Sequence, residues 1–474
     1  MSAASRLSWA AVSLLVVLLA IWYRQPADQL DAVLDSLLRA EQLTLTPPAA
    51  RPRPRVAVGY GGCMDLFARA LHVLDGGKCA VRASHHGFLH DRVQLHQTFL
   101  YFFQHGAAAE RYVSDADLFR RAGGGGSQGC SVLLGSGRYP GQQVPEDVRV
   151  VGPEAARPDV HLILEYGADA SWCGHHHHPR QQVSPPLRTD QCRRQGGAAR
   201  HRSFSFIIHS DVANPTISAL EDFGEALKKF DPDLLVVSGL QMMDNFPFEK
   251  GARPERLRLL RDQMRSQPAR TKIHFEMASF ADTGLLREMM QMVTPYVDSM
   301  GMNEQELPNL HSMVLYGNVS LVSDANPRVA TVLDQMRTVM RVLGEEAPAE
   351  PGRRPLSRLH VHTLAFQAIM TRRDGIWSNS MSAAARASLT AHRHICGTKQ
   401  VDTRKARLIM DESFSVSGEP GSRRVPFDPA RPVSCWNEGL YEMCVAPVLV
   451  CTEVYQTAGG GDNISSAGLV PQIL

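Results

Sequence analysis

The chain is 474 residues long, 44% apolar and 21% charged, with 50 Lys and Arg against 48 Asp and Glu for a formal net charge of +2. That composition excludes a globally disordered chain, and the charge balance gives no basis for binding nucleic acid or another polyanion, so a small-molecule partner is expected. The length exceeds the about 250 to 300 residues at which single cores stop growing, which predicts one large domain with a smaller lobe.

From the N-terminus, Leu7 to Tyr23 is almost wholly apolar between Arg6 and Arg24. It is shorter than the about 20 residues a spanning helix needs and lacks an A-x-A site, so residues 1–46 read as signal peptide or membrane anchor plus linker. An endoplasmic-reticulum or secreted location follows, with an N-terminal segment able to associate with a membrane. After the proline-rich 47–54, Arg55-Val-Ala-Val-Gly-Tyr60 reads as a first core strand closed by Gly61-Gly62. Further strands are predicted at 160–166, 205–208, 233–238, 272–276 and 359–362. Helical spacing lies between several of them, at 218–230, 254–265 and 329–342. Strands alternating with amphipathic helices predict βαβ units and a parallel α/β sheet, which binds ligands at the carboxyl ends of its strands.

Two stretches read as loops, Gly123 to Gln128 and Cys173 to Gly197 with its His175-His176-His177-His178 run. The nine cysteines have no C-x-x-C pair, so no zinc ribbon or dense disulfide framework is indicated. Cys444 and Cys451 are close enough in sequence to pair, although buried thiols serving as small hydrophobes are the commoner use.

The strongest chemical signal is at the C-terminus, where the strand Pro447-Val-Leu-Val-Cys451 is followed by Thr457-Ala-Gly459-Gly460-Gly461-Asp462 and then a helical stretch. Glycines at a helix start let backbone N–H groups approach an anion, and the helix dipole adds positive charge at the same point. Asp462 at the edge of such an anion hole is placed to take a proton from an attacking hydroxyl. By spacing alone a structural turn is an equal reading. Near it in kind are two acidic motifs, His274-Phe275-Glu276 at a strand end and Asn303-Glu304-Gln305-Glu306. Strand alternation puts His274 and Glu276 on one face.

The Gly-x-Gly-Asp pattern resembles that of ribokinase-like sugar kinases, and the chain resembles the ADP-dependent glucokinases over most of its length. The resemblance is carried by Arg55–Gly59, Gly106–Arg111, His161–Tyr166, Val237–Met243, Gly301–Leu307 and Pro447–Cys451, all in order. It implies a ribokinase-like three-layer α/β/α large domain in a kinase domain over 47–474, with a smaller sheet-based lid from segments near 65–115 and 155–215. It implies transfer of the terminal phosphoryl of ADP to glucose, an entry step of glycolysis, with Mg²⁺ as cofactor and a monomer as the working form. Asp462 is then the catalytic base and Gly459, Gly460 and Gly461 hold the phosphates. Glu276, Glu306 and Asp462 serve the metal, and Asp65 and Glu110 bind sugar hydroxyls, where a missing hydroxyl would leave a carboxylate unpaired. Four departures stand out: Gly61 replaces an Asn, no Gly-Gly-Asn-Ala segment occurs between Phe119 and Val132, a His-Asp pair appears as His209-Ser210-Asp211, and Gln456 stands where an Arg precedes the glycines. A nucleotide-binding pseudokinase, or a kinase for another sugar or a nucleoside, remain the alternatives.

Overall fold

The computed structural model of the protein describes residues 28–43, 54–61, 64–69, 83–87, 89–105, 109–113, 160–165, 205–209, 212–320, 324, 326–344, 350–457 and 459–473. The chain divides into two compact units, one of residues 54–325 and 338–356, the other of 1–53, 326–337 and 357–474.

In the first unit, β1 (Val56–Gly59), β6 (Leu234–Val237), β7 (Lys272–Glu276) and β8 (Ser299–Asn303) pair in that order, all parallel. Their sequences are near-continuous apolar runs because parallel strands are covered on both faces: Leu234, Leu235 and Val237 are all buried. Between them run α3 (Leu220–Phe230), α4 (Ala252–Arg265), α5 (Thr283–Met292) and, after β8, α6 (Glu306–Tyr316). α3 buries Phe223 and Leu227 and carries Glu221 and Asp222 in its first turn and Lys228 and Lys229 in its last, the charge order its dipole favours. α5 is capped by Asp282, whose carboxylate accepts from the Gly284 N–H at 2.7 Å.

The same unit holds a four-stranded sheet ordered β2 (Met64–Arg69), β4 (Val160–Glu165), β5 (Ser205–His209) and β3 (Ala109–Tyr112). Its outer pairs are parallel and its central pair antiparallel. Helix α2 (Arg92–His105) precedes β3, and Tyr112 of β3 meets Phe246 edge-on at 5.1 Å.

The second unit is antiparallel. β9 (Arg358–His362), β10 (Phe366–Arg372), β15 (Tyr441–Pro447) and β14 (Ser434–Glu438) form its ladder, which corrects the expectation of a parallel sheet for this part of the chain. Two short ladders join β11 (Ala406–Arg407) to β16 (Val450–Cys451) and β12 (Ser413–Ser415) to β13 (Arg424–Pro426). The predicted strand 447–451 is thus split between the end of β15 and β16. The residues of α7 (Val329–Gly344) are shared between the two units, and Arg337 forks onto Glu438 of its own unit at 2.8 Å.

Helix α8 (Ser380–Ile395) lies on this sheet through buried Ala383, Ala384, Ala385 and Leu389, small residues that allow a close approach, and packs against α9 (Gly460–Ile473). The core also takes Val33 and Leu37 from a helix over 28–42, α1, whose Glu41 receives Arg393 at 2.8 Å. Residues 28–42 are therefore an integral helix and not linker, a correction to the reading of 1–46. The apolar run at 7–23 lies outside the described residues, as do the His175–His178 run, the glycine run at 123–128 and Ser210-Asp211. Among the described residues no helix is long and apolar enough to cross a membrane. Cys444 pairs with Cys435 and Cys451 with Cys396, so the suggested Cys444–Cys451 bridge is overturned: Cys444 has its partner directly across the β14–β15 ladder.

Candidate functional site

The glycine turn sits in the second unit. β16 ends at Cys451, and the chain reaches α9 through residues pinned to the end of α8: the N–H groups of Tyr455 and Gln456 both donate to Ile395 O, at 2.7 and 3.3 Å. Gly459 has φ +66°, a left-handed conformation that a side chain disfavours, so glycine is required at the turn. The turn closes with Gly460 N–H donating to Thr457 O at 3.0 Å, and Asn463 ties back to Gly459 O through both its backbone N–H and its Nδ2, at 3.1 and 2.8 Å. Gly460 and Gly461 open the helix, so first-turn N–H groups point out of its end, where an anion gains most. Asp462 follows in that first turn, exposed to solvent.

Two histidines that sequence reading passed over line this turn. A Cβ on Gly461 would stand 3.2 Å from His362 Cε1, and one on Gly460 would meet His394 Cδ2 at 3.7 Å. His362 shares one face of β9 with His360, so alternation in Leu359-His-Val-His362 was the available signal. Gln456 reaches His394 with its amide nitrogen at 3.3 Å. At the position where the resemblance calls for an arginine, this chain therefore sets an amide against an imidazole.

The acidic motifs lie in the first unit, at the carboxyl ends of adjacent parallel strands. His274 and Glu276 share a face of β7 as alternation predicts, with His274 Nε2 at 3.0 Å from Glu276 Oε2 and Nδ1 at 2.9 Å from Ser299 Oγ on β8. With both ring nitrogens engaged, His274 is held between the Glu276 carboxylate and the Ser299 hydroxyl. Both His274 and Glu276 are buried.

Asn303 ends β8 and brackets the start of α6. Its Oδ1 accepts from the N–H groups of Gln305 and Glu306, while Glu306 accepts from Asn303 Nδ2 and N at 2.9 and 2.8 Å. Glu306 is buried. Among the described residues no three His, Cys, Asp or Glu side chains come together as a metal-binding group. Glu276 and Glu306, two buried carboxylates, are donors of the kind Mg²⁺ takes, since it retains several waters and asks for only one or two carboxylates.

Asp65 and Glu110 lie on β2 and β3, the two outer strands of the four-stranded sheet, in register with His161 and Ile207. Their side chains lie outside the described residues. Gly61 packs on the turn after β6: a Cβ there would stand 3.0 Å from the Gly239 Cα.

The conserved region of ADP-specific phosphofructokinases and glucokinases matches residues 54–122 and 128–471, and the break at 123–127 falls in the glycine run. The chain is similar to the ADP-dependent glucokinase of Bos taurus, at 30% identity over 94% of this chain and 88% of that protein. It is also similar to the probable ADP-dependent glucokinase of Caenorhabditis elegans, at 26% identity over 97% of this chain and 94% of that one. Among solved structures its fold is like that of an ADP-dependent kinase in complex with fructose-6-phosphate and ADPβS, with a TM-score of 0.56 at 14% identity over 93% of this chain and 97% of the other.

Proposed function

Because the chain belongs to the ADP-specific phosphofructokinase/glucokinase family, we propose that it is an ADP-dependent glucokinase of ribokinase-like α/β fold, moving the terminal phosphoryl of ADP to glucose. The products are AMP and glucose 6-phosphate. The observation that carries the mechanism is the exposed Asp462 in the first turn of a helix opened by two glycines.

Asp462 takes the proton of the glucose 6-hydroxyl as that oxygen attacks the terminal phosphorus of ADP and the bond to AMP breaks. Charge spreads over the equatorial oxygens in this transition state, and the N–H groups at the start of α9 donate to it from fixed positions. The Gln456–His394 contact beside the turn supplies polar groups to the phosphates in place of an arginine. Glu306 and Glu276 would hold Mg²⁺, with Asn303 and His274 hydrogen-bonded to the two carboxylates and so setting their orientation. When bound, the metal neutralises phosphate charge. Asp65 and Glu110 bind sugar hydroxyls from the four-stranded sheet, which acts as a lid whose closure keeps water from the nucleotide. The apolar segment before residue 28 directs the chain to the secretory route, in keeping with the disulfides Cys396–Cys451 and Cys435–Cys444.

The test is formation of AMP and glucose 6-phosphate from ADP, Mg²⁺ and glucose, with Asp462→Asn beside the unaltered protein. Loss of about 10² to 10⁴ in kcat with ADP affinity retained by calorimetry is expected for a general base. Equal turnover in the variant removes Asp462 from the role, and no turnover in the unaltered protein sinks the glucokinase reading.

A further inference from the structure

We propose that Asn318 is a site of N-linked glycosylation. The sequence holds two acceptor patterns, Asn318-Val319-Ser320 and Asn463-Ile464-Ser465, and a third excluded by its central proline, Asn214-Pro215-Thr216. Two such tripeptides are no more than chance allows in a chain of this length, so the choice rests on where each one lies.

Asn318 stands just past the end of α6. Gly317 closes that helix at φ +70°, its N–H donating to Met313 O, and the chain turns outward there. Asn318 is exposed, and among the described residues its side-chain amide has no hydrogen-bond partner. The turn is nevertheless held in place: the Ser320 N–H donates to Asn309 Oδ1 at 3.3 Å, and buried Asn309 is itself anchored through its Nδ2 to Phe280 O at 2.8 Å. Beside it stand Leu315 and Tyr316, 44% and 73% exposed. Tyr316 is two residues before the asparagine, and its ring offers the apolar face of an N-acetylglucosamine a surface to stack on, which would also cover an aromatic otherwise left in water.

The second tripeptide fails on the same criteria. Asn463 Nδ2 is committed to Gly459 O at 2.8 Å, and Ile464 and Ser465 are buried within α9. A glycan there would also stand next to Asp462.

The chemistry needs a luminal compartment, which is also an oxidising one, and a glycosyl donor. The disulfides Cys396–Cys451 and Cys435–Cys444 point to that compartment, as does the apolar N-terminal run, so the inference rests on the secretory reading and is independent of the kinase chemistry. The donor is an oligosaccharide on a polyisoprenyl pyrophosphate, the lipid-linked class. The Asn318 amide nitrogen bonds to the sugar C1 as the C1–O bond to pyrophosphate breaks; the amide loses one proton and the lipid pyrophosphate leaves as the anion.

The experiment is expression of the full chain in cultured animal cells, digestion with a peptide N-glycosidase, gel mobility and peptide mass mapping, with glucose 6-phosphate formation read in parallel. The expected result is a mobility shift on digestion, conversion of Asn318 to Asp in the mapped peptide, loss of the shift in Asn318→Gln and in Ser320→Ala, and reduced occupancy in Tyr316→Ala. No shift in the unaltered chain, or one that survives in both sequon variants, overturns the proposal. Kinase activity in either case reports on the glucokinase reading separately.

Discussion

At Gly61 and Gly239 two backbone segments touch directly. A Cβ on Gly61 would lie 3.0 Å from Gly239 Cα and 3.3 Å from Met242 Cε, and one on Gly239 would lie 2.6 Å from Gly61 Cα. Gly239 also has φ +77°. Position 61 is thus decided here by the approach of the β1 and β6 turns, which gives a packing reason for glycine where the related kinases carry asparagine. Gly61→Asn is expected to cost about 1 to 3 kcal/mol by overpacking, and therefore to lower stability without restoring sugar affinity. Gly239→Ala is expected to cost more, since left-handed backbone adds about 1 to 2 kcal/mol for a residue with a Cβ. Urea unfolding of both variants checks this, and curves superimposable on the unaltered protein would show that the turns move apart freely.

Among the elements, the second unit depends on links that join chain ends far apart in sequence. Cys396 caps the end of α8 and Cys451 ends β16, closing 55 residues, while Cys435–Cys444 closes only 9 across one hairpin. Loop-closure entropy puts these at about 4 and about 2.5 kcal/mol. Cys451→Ala should therefore lower the melting temperature more than Cys435→Ala, each measured without reductant; equal shifts would mean that local packing outweighs chain entropy. Neither pairing was legible in the sequence, because which cysteines meet is decided by strand register and helix packing and not by spacing. By the same logic β6 could be read directly from Leu-Leu-Val-Val, whereas β10, with Gln367 and Thr371 buried inside it, gives no apolar run to read. Helix α1 carries Leu30, Val33, Leu34, Leu37 and Leu38 at helical spacing, so its face was readable, but the apolar run just before it drew residues 1–46 into one segment. In the candidate site, Asp462, Glu276 and Glu306 stand out as motif residues. His362 and His394 do not: alternation puts His362 on one face with His360, but nothing in the sequence says that the fold will bring a glycine turn against it or against His394.

Across the whole molecule, buried ionisable groups set an acid sensitivity whose sign can be worked out. Burial, and then the charge of Arg111, lower the His85 pKa from 6.5 to about 4, and Arg111 donates to its Nε2 at 2.8 Å, so the ring is neutral in the folded protein. The unfolded chain takes up this proton below about 6.5 and the folded one only near 4. The contribution of His85 is therefore fully present above pH 6.5 and lost as pH falls through that window. His392 and His311 are lowered by burial and act in the same direction. Asp244 and Asp298 act oppositely: burial raises both, so their protonation favours the folded state on acidification and offsets part of the loss. Because these terms oppose, the total pH profile does not identify any one group, but a single substitution does. Gln at position 85 can still accept from Arg111 and cannot titrate. Melting temperature followed from pH 7 to pH 4 should fall more steeply for the unaltered protein than for His85→Gln, with the two curves parallel above pH 6.5. Curves that stay parallel throughout would mean that His85 holds its proton equally in both states, and that the contact with Arg111 does not persist in solution.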